Sequence, residues 1–318
     1  IIIGGGITGA GILLDACSRG GKCLLVEKND YASGTSSKST KLIHGGLRYL
    51  KNLEFKMVSD VGKERNIAFQ NAPHLVRPEK MLVPLYKGNG FKKWQLSIAL
   101  KIYDLLAKVR KIDRRKMLSK DETTAIEPRI NSYNLIGGGL YAEYRTDDAR
   151  LTTSIIKTAT QYNGNSLNYM EVEKIEKKDL FEVSCFDHIL NQKIIFQSEH
   201  VINATGPWAD QTRLLEKEKF QSKIRLSKGI HIVVPKAVLP IKHAVYYHLE
   251  DERMCFAIPR GGTTYIGTTD DDYKGSQDKI NITKEEVSYL INGANSTFTE
   301  QRIQISDIIS SWAGLRPL

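Results

Sequence analysis

A histidine, an arginine and a tyrosine lie close together near the start of the chain. His44, Arg48 and Tyr49 are four residues and one residue apart, so a single turn can direct an imidazole, a guanidinium and a phenol into one pocket. A guanidinium holds phosphate oxygens through paired N–H donors, and an imidazole accepts a proton near neutral pH. The trio therefore suits an anionic substrate that loses a proton. The alternatives are a turn histidine bonded to backbone and an arginine in a surface salt bridge.

The residues that precede this trio predict a dinucleotide site. An apolar run leads into Gly4, Gly6 and Gly9, which form the G-x-G-x-x-G pattern of a tight turn, a close approach to pyrophosphate and a closely packed helix. The stretch Ala10–Arg19 can form that helix, and a second apolar strand ends at Glu27, where a ribose-binding carboxylate is expected. A glycine-rich surface turn is the alternative, but it does not account for strand, helix, strand and acid together. The pattern does not distinguish FAD from NAD.

The segment that follows favours a flavin. Residues 30–50 combine several serine and threonine hydroxyls with three glycines, where a nicotinamide-binding unit would continue with a helix and a strand. Hydroxyl and backbone N–H groups of such a loop can bind a second phosphate and a ribityl chain. The alternative is a flexible linker, but basic and aromatic residues follow at once.

At this point the chain resembles the FAD-dependent glycerol-3-phosphate dehydrogenases, a family that includes the glycerol-3-phosphate oxidases. The matching segments extend over the whole chain and occur in the same order as in the family. Several of them resemble the enzymes of Gram-positive bacteria more than those of other sources. The resemblance implies that the chain lacks both natural ends, including a downstream Gly-Gly-Lys segment. The matching segments are Ile3–Gly20 (IGGGITGAGILLDACSRG), Gly34–Leu50 (GTSSKSTKLIHGGLRYL), Tyr144–Leu151 (YRTDDARL), Asn203–Trp208 (NATGPW), Lys228–Val234 (KGIHIVV), Phe256–Arg260 (FAIPR), Gly267–Asp270 (GTTD) and Ser310–Leu318 (SSWAGLRPL).

The expected fold is of the α/β (α+β) class. The resemblance implies an FAD/NAD(P)-binding Rossmann-like domain with a discontinuous antiparallel-sheet substrate domain, as in glycine and D-amino-acid oxidase-like flavoproteins. We expect the FAD-binding domain to comprise residues 1–75, 144–221 and 300–318. The substrate-binding or cap domain would then comprise 76–143 and 222–299.

Local patterns add helices and strands to this outline. A helix is predicted from Asn52 to Ala72, and a second from Ala149 to Gln161, capped by Asp147 or Asp148. We therefore interpret these two acids as helix caps and assign them no catalytic role. Short β-rich runs between residues 222 and 275 indicate antiparallel strands.

The resemblance also implies functional residues. The predicted catalytic residues are His44, His231 and Arg316, with His44 slightly preferred to His231 as proton acceptor because arginine stays protonated. The predicted substrate-binding residues are Arg48, Tyr49, Thr268 and Arg316. The predicted FAD-binding residues are Gly4, Gly6, Gly9, Glu27, Gly34, Thr35, Ser36, Ser37, Lys41, Leu42, His44, Gly45, Val172, Ala204, Gly206 and Trp208.

The implied reaction is oxidation of glycerol 3-phosphate to dihydroxyacetone phosphate, with electrons passed from FAD to membrane quinone. Three alternatives stay open: an oxidase that reduces oxygen to peroxide, an amine or amino-acid oxidase of the same architecture, and an inactive FAD-binding fragment. A homodimer is a further open alternative. No cysteine pair has C-x-x-C spacing, which argues against a structural zinc site and fits four free thiols.

The net charge of +10 is concentrated in one segment. Between Lys92 and Lys116 there are nine basic residues against Asp104 and Asp113, and apolar residues recur at helical spacing from Phe91 to Val109. We interpret this stretch as a basic amphipathic helix that attaches to an anionic membrane surface. A core-packed helix with a solvated basic face is the alternative. Nucleic-acid binding is disfavoured because no reader motif accompanies the charge.

The sequence also indicates where in the cell the protein is expected. The sequence has no apolar run long enough to span a membrane. We therefore expect a cytoplasmic protein that lies peripherally on the inner face of the cell membrane.

Overall fold

The computed structural model of the chain describes residues 1–44, 54–88, 92–106, 109–216, 221–299 and 302–318. The helices are α1 (Ile7–Ser18), α2 (Phe55–Asn71), α3 (Lys93–Leu106), α4 (Lys120–Ile126), α5 (Asp148–Thr160), α6 (Ala209–Leu214) and α7 (Lys284–Thr297). The strands are β1 (Ile2–Ile3), β2 (Leu24–Val26), β3 (Leu42–Ile43), β4 (Arg77–Tyr86), β5 (Lys116–Leu118), β6 (Leu135–Arg145), β7 (Asn165–Leu167), β8 (Met170–Lys177), β9 (Phe181–Asp187), β10 (Gln192–Ser198), β11 (Ile202–Asn203), β12 (Leu226–Pro235), β13 (Ala244–His248), β14 (Met254–Arg260), β15 (Thr263–Gly267), β16 (Asp271–Asp272) and β17 (Ser310–Pro317).

The amino-terminal part forms a small parallel sheet. Within the described ranges its strand order is β11-β1-β2-β7, and every pairing is parallel. Helices α1 and α5 pack together beside it, and they bury Leu13 and Ile156 with Ile2 and Leu25. A separate antiparallel sheet has the order β10-β9-β8. The predicted Rossmann-like strand, helix and strand are confirmed.

The remaining described strands form one large mixed sheet. Its order is β16-β12-β15-β14-β13-β4-β6-β3, with β17 beside β12 and β5 beside β6. The pairings among β12 to β15 are antiparallel, as predicted, because short β-branched and aromatic runs alternate here with Pro and Gly turns. The domain boundaries stay a prediction. Residues 310–317 were expected in the FAD-binding domain, yet β17 pairs with β12 in the large sheet.

Helix α5 shows how sequence determines a local boundary. The side chain of Asp147 accepts a hydrogen bond from the backbone N–H of Arg150 at 3.2 Å, so Asp147 is the N-cap, as predicted. Asp148 is the first helical residue, and its carboxylate contacts Lys41 and Ser39. The prediction that both acids serve only as caps is therefore wrong for Asp148.

The basic segment is also different from its prediction. Helix α3 ends at Leu106, so it contains only two of the nine basic residues, Lys93 and Lys101. It buries Leu96 and Leu100 against β6, where a Cβ on Gly139 would lie 2.8 Å from Leu96. Of the predicted apolar residues, Trp94, Ile98 and Leu105 are exposed, whereas Ile102, Leu106 and Val109 pack in the core. Phe91 and Lys108 lie outside the described residues. No helix in the described part of the chain is long and apolar enough to cross a membrane.

Candidate cofactor and substrate site

A cavity of about 540 Å³ opens beside the first strand and the start of α1. It contains most of the predicted FAD-binding residues that the structure describes. The predicted residues that line it are Gly4, Gly6, Glu27, Gly34, Thr35, Ser36, Leu42, Val172, Ala204, Gly206 and Trp208. Residues separated by some 200 positions in the chain therefore meet at one cavity.

The opening glycines form a cradle with no room for side chains. A Cβ on Gly4 would lie 2.6 Å from the carbonyl oxygen of Ala204, and Gly4 has a φ of +110°, which favours glycine. A Cβ on Gly9 would lie 1.9 Å from the carbonyl oxygen of Gly4, so Gly9 allows the close helix packing that was predicted. The N-cap of α1 is Gly6, which has no capping side chain, and Thr8 lines the cavity. A helix N-terminus of this kind binds phosphate through backbone N–H groups and its dipole.

Glu27 lies at the other side of this cradle. One carboxylate oxygen accepts a hydrogen bond from the N–H of Gly5 at 2.7 Å, and the other accepts one from the N–H of Asn29 at 2.9 Å. These bonds fix the carboxylate at the end of β2 while it still lines the cavity. It is therefore positioned to accept hydrogen bonds from ribose hydroxyls.

The hydroxyl-rich loop is fastened to two strands of the large sheet, β15 and β17. Thr35 Oγ1 donates to the carbonyl oxygen of Leu315 at 2.7 Å, and Trp312 Nε1 donates to the carbonyl oxygen of Ser39 at 3.2 Å. Tyr265 donates its hydroxyl to the carbonyl oxygen of Thr40 at 3.0 Å. These bonds give the loop a defined path, so it is not the flexible linker considered from composition.

One face of the β12–β17 pair lies under this loop. Side chains two residues apart on a strand share a face. The register pairs Ser227 with Arg316, Gly229 with Gly314 and His231 with Trp312. A Cβ on Gly314 would lie 2.7 Å from the Lys38 side chain and 2.8 Å from its carbonyl oxygen, so glycine is needed where the loop crosses the strands.

His231 occupies the buried end of this face. Its side chain is 2% exposed and stacks on the Trp312 ring, with centroids 4.7 Å apart. Nε2 lies 3.1 Å from Thr40 Oγ1, whereas Nδ1 is buried with no hydrogen-bond partner in the described ranges. Burial, together with the positive charges of Arg316 and Lys41, lowers the pKa of His231 to about 3. The imidazole is therefore neutral near pH 7.

Arg316 lies four residues from Trp312 on the same face of β17, and Thr268 lies beside it. Arg316 Nη2 is 3.4 Å from Thr268 Oγ1, and Arg316 Nη1 donates to Asp270 Oδ1 at 2.8 Å. The structure thus brings together three of the predicted site residues, His231, Thr268 and Arg316. Their proximity follows from the pairing of β12 with β15 on one edge and β17 on the other.

Lys41 and Asp148 form a second charged group beside the cavity. Lys41 Nζ is 2.9 Å from Asp148 Oδ1 and donates to the carbonyl oxygen of Ser37 at 3.0 Å. Ser39 Oγ donates to Asp148 Oδ2 at 2.7 Å, and both Ser39 and Asp148 line the cavity. The sequence analysis missed Ser39, Asp148 and Trp312. The doubled acid in YRTDDARL was the available signal for Asp148, since one carboxylate suffices for the cap.

Other predicted residues are placed differently or not described. His44 follows β3 and is exposed, and neither His44, Ser37 nor Lys41 lines the cavity. Gly45, Arg48 and Tyr49 lie outside the described residues. Their assignments therefore stay predictions.

A second cavity of about 660 Å³ adjoins the first. It shares Gly34, Thr35 and Trp208 with the first cavity and reaches Trp312 and Gly314. The two cavities therefore extend from the glycine cradle to the strand that carries Arg316.

These features define an FAD-dependent oxidoreductase, and the family model of that description matches residues 1–318. The chain belongs to this family. It is 49% identical over its full length to the aerobic glycerol-3-phosphate dehydrogenase of Bacillus subtilis and 47% identical to that of Staphylococcus aureus strain MRSA252. The chain spans 58% of the length of each of these curated relatives.

Solved structures agree with this assignment. The glycerol-3-phosphate dehydrogenase of Bacillus halodurans, solved with FAD, has a TM-score of 0.83 and 42% identity; the match covers 100% of this chain and 56% of that one. Glycine oxidase from Geobacillus kaustophilus has a TM-score of 0.71 at 18% identity, covering 99% of this chain and 81% of that one. The latter likeness shows the fold alone. The predicted oxidase-like architecture is confirmed.

FAD is the cofactor of this family, and the described residues fit it. The glycine-lined start of α1 suits the pyrophosphate, and the Glu27 carboxylate suits the adenosine ribose. The hydroxyls of Thr35 and Ser36 line the same cavity, next to the loop that leads to Thr40 and His231.

Proposed function

We propose that the full-length protein that carries this chain oxidises sn-glycerol 3-phosphate to dihydroxyacetone phosphate. FAD, when bound, would accept a hydride from C2 of the substrate while the C2 hydroxyl gives up a proton, so the alcohol would become a ketone and two electrons would pass to the flavin. The main structural support for this proposal is one contact, in which His231 Nε2 lies 3.1 Å from Thr40 Oγ1. It joins the loop beside the cofactor cavity to β12, the strand that pairs with the Arg316-bearing strand β17.

Arg316 and Thr268 are proposed to bind the phosphate or the carbinol oxygen. A guanidinium stays protonated at all relevant pH values, so Arg316 stabilises negative charge on oxygen and does not act as a base. We assign Arg48 and Tyr49 to binding of the same phosphate or carbinol oxygen, because both lie in the Gly34–Leu50 segment that matches the family. At least two cations are then available for a phosphate dianion.

His44 is the proposed proton acceptor. His231 is a weak base because its pKa is lowered to about 3, whereas His44 is exposed at the end of the loop. His231 instead orients Thr40 through its neutral ring. The pH dependence of flavin reduction tests this assignment: His44→Asn should remove the acidic limb of the profile, and His231→Asn should retain it. The reverse result would move the base to His231.

A comparison of reductants tests the substrate class. The FAD-loaded protein is mixed anaerobically with sn-glycerol 3-phosphate, glycerol or glycine while the flavin absorption band is followed. The proposal predicts rapid bleaching by the phosphorylated alcohol alone, because the cation cluster recognises its phosphate. Bleaching by glycine would favour the amino-acid oxidase alternative. A protein that binds FAD but is bleached by none of the three would be an inactive FAD-binding protein.

Membrane quinone is the proposed electron acceptor. The reaction of the substrate-reduced protein with a soluble quinone is compared with its reaction with air. Fast quinone reduction with little hydrogen peroxide supports the dehydrogenase. Stoichiometric peroxide from oxygen would instead establish a glycerol-3-phosphate oxidase.

An exposed apolar and basic surface supports attachment to a membrane. On α3 and the following segment, Trp94, Ile98, Leu105 and Ile112 are 62%, 51%, 77% and 78% exposed. Exposed basic side chains occur in the same segment, including Lys93, Lys101, Lys111 and Arg114. Since α3 already buries a separate apolar face, a second apolar face with basic neighbours suits the headgroup region of anionic lipid. We propose that this surface holds the protein on the inner face of the cell membrane.

Vesicle flotation tests the surface. The full-length FAD-loaded protein is expected to float with vesicles that contain phosphatidylglycerol but not with phosphatidylcholine alone. Replacing both Trp94 and Leu105 by Ser should weaken binding by about ten-fold or more, because each exposed apolar side chain contributes on the order of 1 kcal/mol. Ile195→Ser provides a matched control, since Ile195 is also 61% exposed but lies on β10. Equal losses in both variants would refute this surface.

A further inference from the structure

Three consecutive aspartates each pair with a different arginine. Asp270 pairs with Arg316 at 2.8 Å, Asp271 with Arg253 at 2.9 Å, and Asp272 with Arg225 at 2.6 Å. Arg316 belongs to the proposed substrate site, whereas Arg253 and Arg225 are not among the predicted site residues. Of the three pairs, the Asp270–Arg316 pair is therefore the one that contains an arginine whose orientation matters to the proposed reaction.

The strand register explains why Asp270 can reach Arg316. β12 has β17 on one edge and β16 on the other, so Ser227 lies opposite Arg316 on one side and opposite Asp272 on the other. Asp270 immediately precedes β16. Its carboxylate accepts a hydrogen bond from Ser227 Oγ and a charged hydrogen bond from Arg316. Ser227 is 2% exposed, so its hydroxyl gives the carboxylate a fixed support.

Arg316 is held at two of its nitrogens. Nη1 donates to Asp270, and Nη2 faces Thr268 Oγ1 at 3.4 Å. A Cβ on Gly229 would lie 2.8 Å from Nη2 and 2.5 Å from Thr268 Oγ1, so the glycine leaves the space that this arrangement requires. A guanidinium is planar and has five N–H donors, so fixing one part of it aims the remaining donors.

We propose that Asp270 is a positioning residue for Arg316, with Ser227 as its support. This inference rests on the proposed function, in which Arg316 holds the phosphate or the carbinol oxygen. Asp270 fixes the guanidinium in the plane that aligns the substrate, and it offsets part of the positive charge before substrate arrives. Removing the carboxylate leaves a cation that binds an anion at least as well but aligns it poorly.

The test separates binding from alignment in the full-length FAD-loaded protein. Anaerobic stopped-flow mixing with sn-glycerol 3-phosphate measures the limiting rate of flavin reduction and the apparent Kd separately. Asp270→Asn should lower the limiting rate by about ten- to hundred-fold, because small misplacements of a reactant are costly. The apparent Kd should stay the same or fall. Asp270→Glu should recover part of the rate, since it restores the charge.

Inorganic phosphate provides a readout that needs no turnover. Its binding is followed by the perturbation of the flavin spectrum, and Asp270→Asn should bind it about two- to five-fold more tightly, as expected for loss of a partly exposed opposing charge. Asp271→Asn is the matched control, because Asp271 is the next residue and pairs with Arg253. It should behave as wild type in both measurements.

The possible results are distinct. A lower limiting rate in Asp270→Asn, with tighter phosphate binding and Asp271→Asn unaffected, supports the inference. Phosphate binding in Asp270→Asn that is unchanged or weaker than in wild type overturns it. A wild-type rate in Asp270→Asn, or equal slowing in Asp270→Asn and Asp271→Asn, overturns it. Wild-type protein that substrate does not reduce would refute the proposed function instead. In that case the phosphate titration is the remaining test of the role of Asp270. Tighter phosphate binding in Asp270→Asn supports that role, and unchanged or weaker phosphate binding overturns it.

Discussion

Acidification should destabilise this protein through a single buried imidazole. His231 is 2% exposed, and its pKa is lowered from 6.5 to about 3 by burial and by the nearby positive charges of Arg316 and Lys41. Between these two pH values the unfolded chain binds a proton at His231 and the folded protein does not. Stability is therefore full above about pH 6.5 and falls as the pH is lowered, by about 1.4 kcal/mol per pH unit. From pH 6.5 to 5 the loss is about 2 kcal/mol.

The assay is urea unfolding of the FAD-loaded protein at pH 7 and at pH 5. His231→Gln lacks the titrating group, so the free-energy difference between wild type and this variant should shrink by about 2 kcal/mol at the lower pH. His200→Gln is the control, because it removes an exposed imidazole. A difference between wild type and His231→Gln that does not change with pH would refute the reasoning, since His231 would then titrate alike in both states.

Three further substitutions test other parts of the account. Arg48→Ala should raise the KM for glycerol 3-phosphate strongly, and an unchanged KM in steady-state assays would remove Arg48 from the phosphate site. Asp148→Asn should weaken FAD binding by about ten-fold in fluorescence titration, because the Lys41 ion pair and the Ser39 hydrogen bond lose their charged partner. Asp147→Asn preserves the helix cap and should bind FAD as wild type does. Equal effects of the two substitutions would argue against a role of the Lys41–Asp148 pair in FAD binding. Gly267→Ala should lower stability in urea by about 1–3 kcal/mol, because its Cβ would lie 2.1 Å from His231 Cδ2. Gly262→Ala, which has open space around it, should cost much less, and a similar loss in both variants would contradict the steric argument.

The sequence predicted the cofactor cradle because its signature lies in one short segment. Gly4, Gly6 and Gly9 lie within six residues. The atoms closest to a Cβ at Gly4 and Gly6 belong to Ala204 and Ser36, which the pattern alone does not reveal. The antiparallel runs around His231 were predicted for a similar reason, since their β-branched and aromatic residues occur between turn residues.

Contacts between distant segments could not be predicted in this way. The stacking of Trp312 on His231 depends on how β17 lies beside β12, and the sequence alone does not reveal a contact between residues 81 positions apart. Helix α3 has apolar residues on two faces, so periodicity could not decide which face the protein buries. The pattern starting at Trp94 was interpreted as a membrane-attaching face, with a core-packed face as the alternative; packing buries Leu96 and Leu100 and leaves Trp94 and Ile98 exposed.

The most direct test of the proposed function is a single anaerobic turnover. The full-length FAD-loaded protein is mixed with excess sn-glycerol 3-phosphate without any external acceptor, and dihydroxyacetone phosphate is measured beside flavin bleaching. The account predicts complete bleaching with one dihydroxyacetone phosphate formed per FAD. Flavin that stays fully oxidised, with no ketone formed, would contradict it.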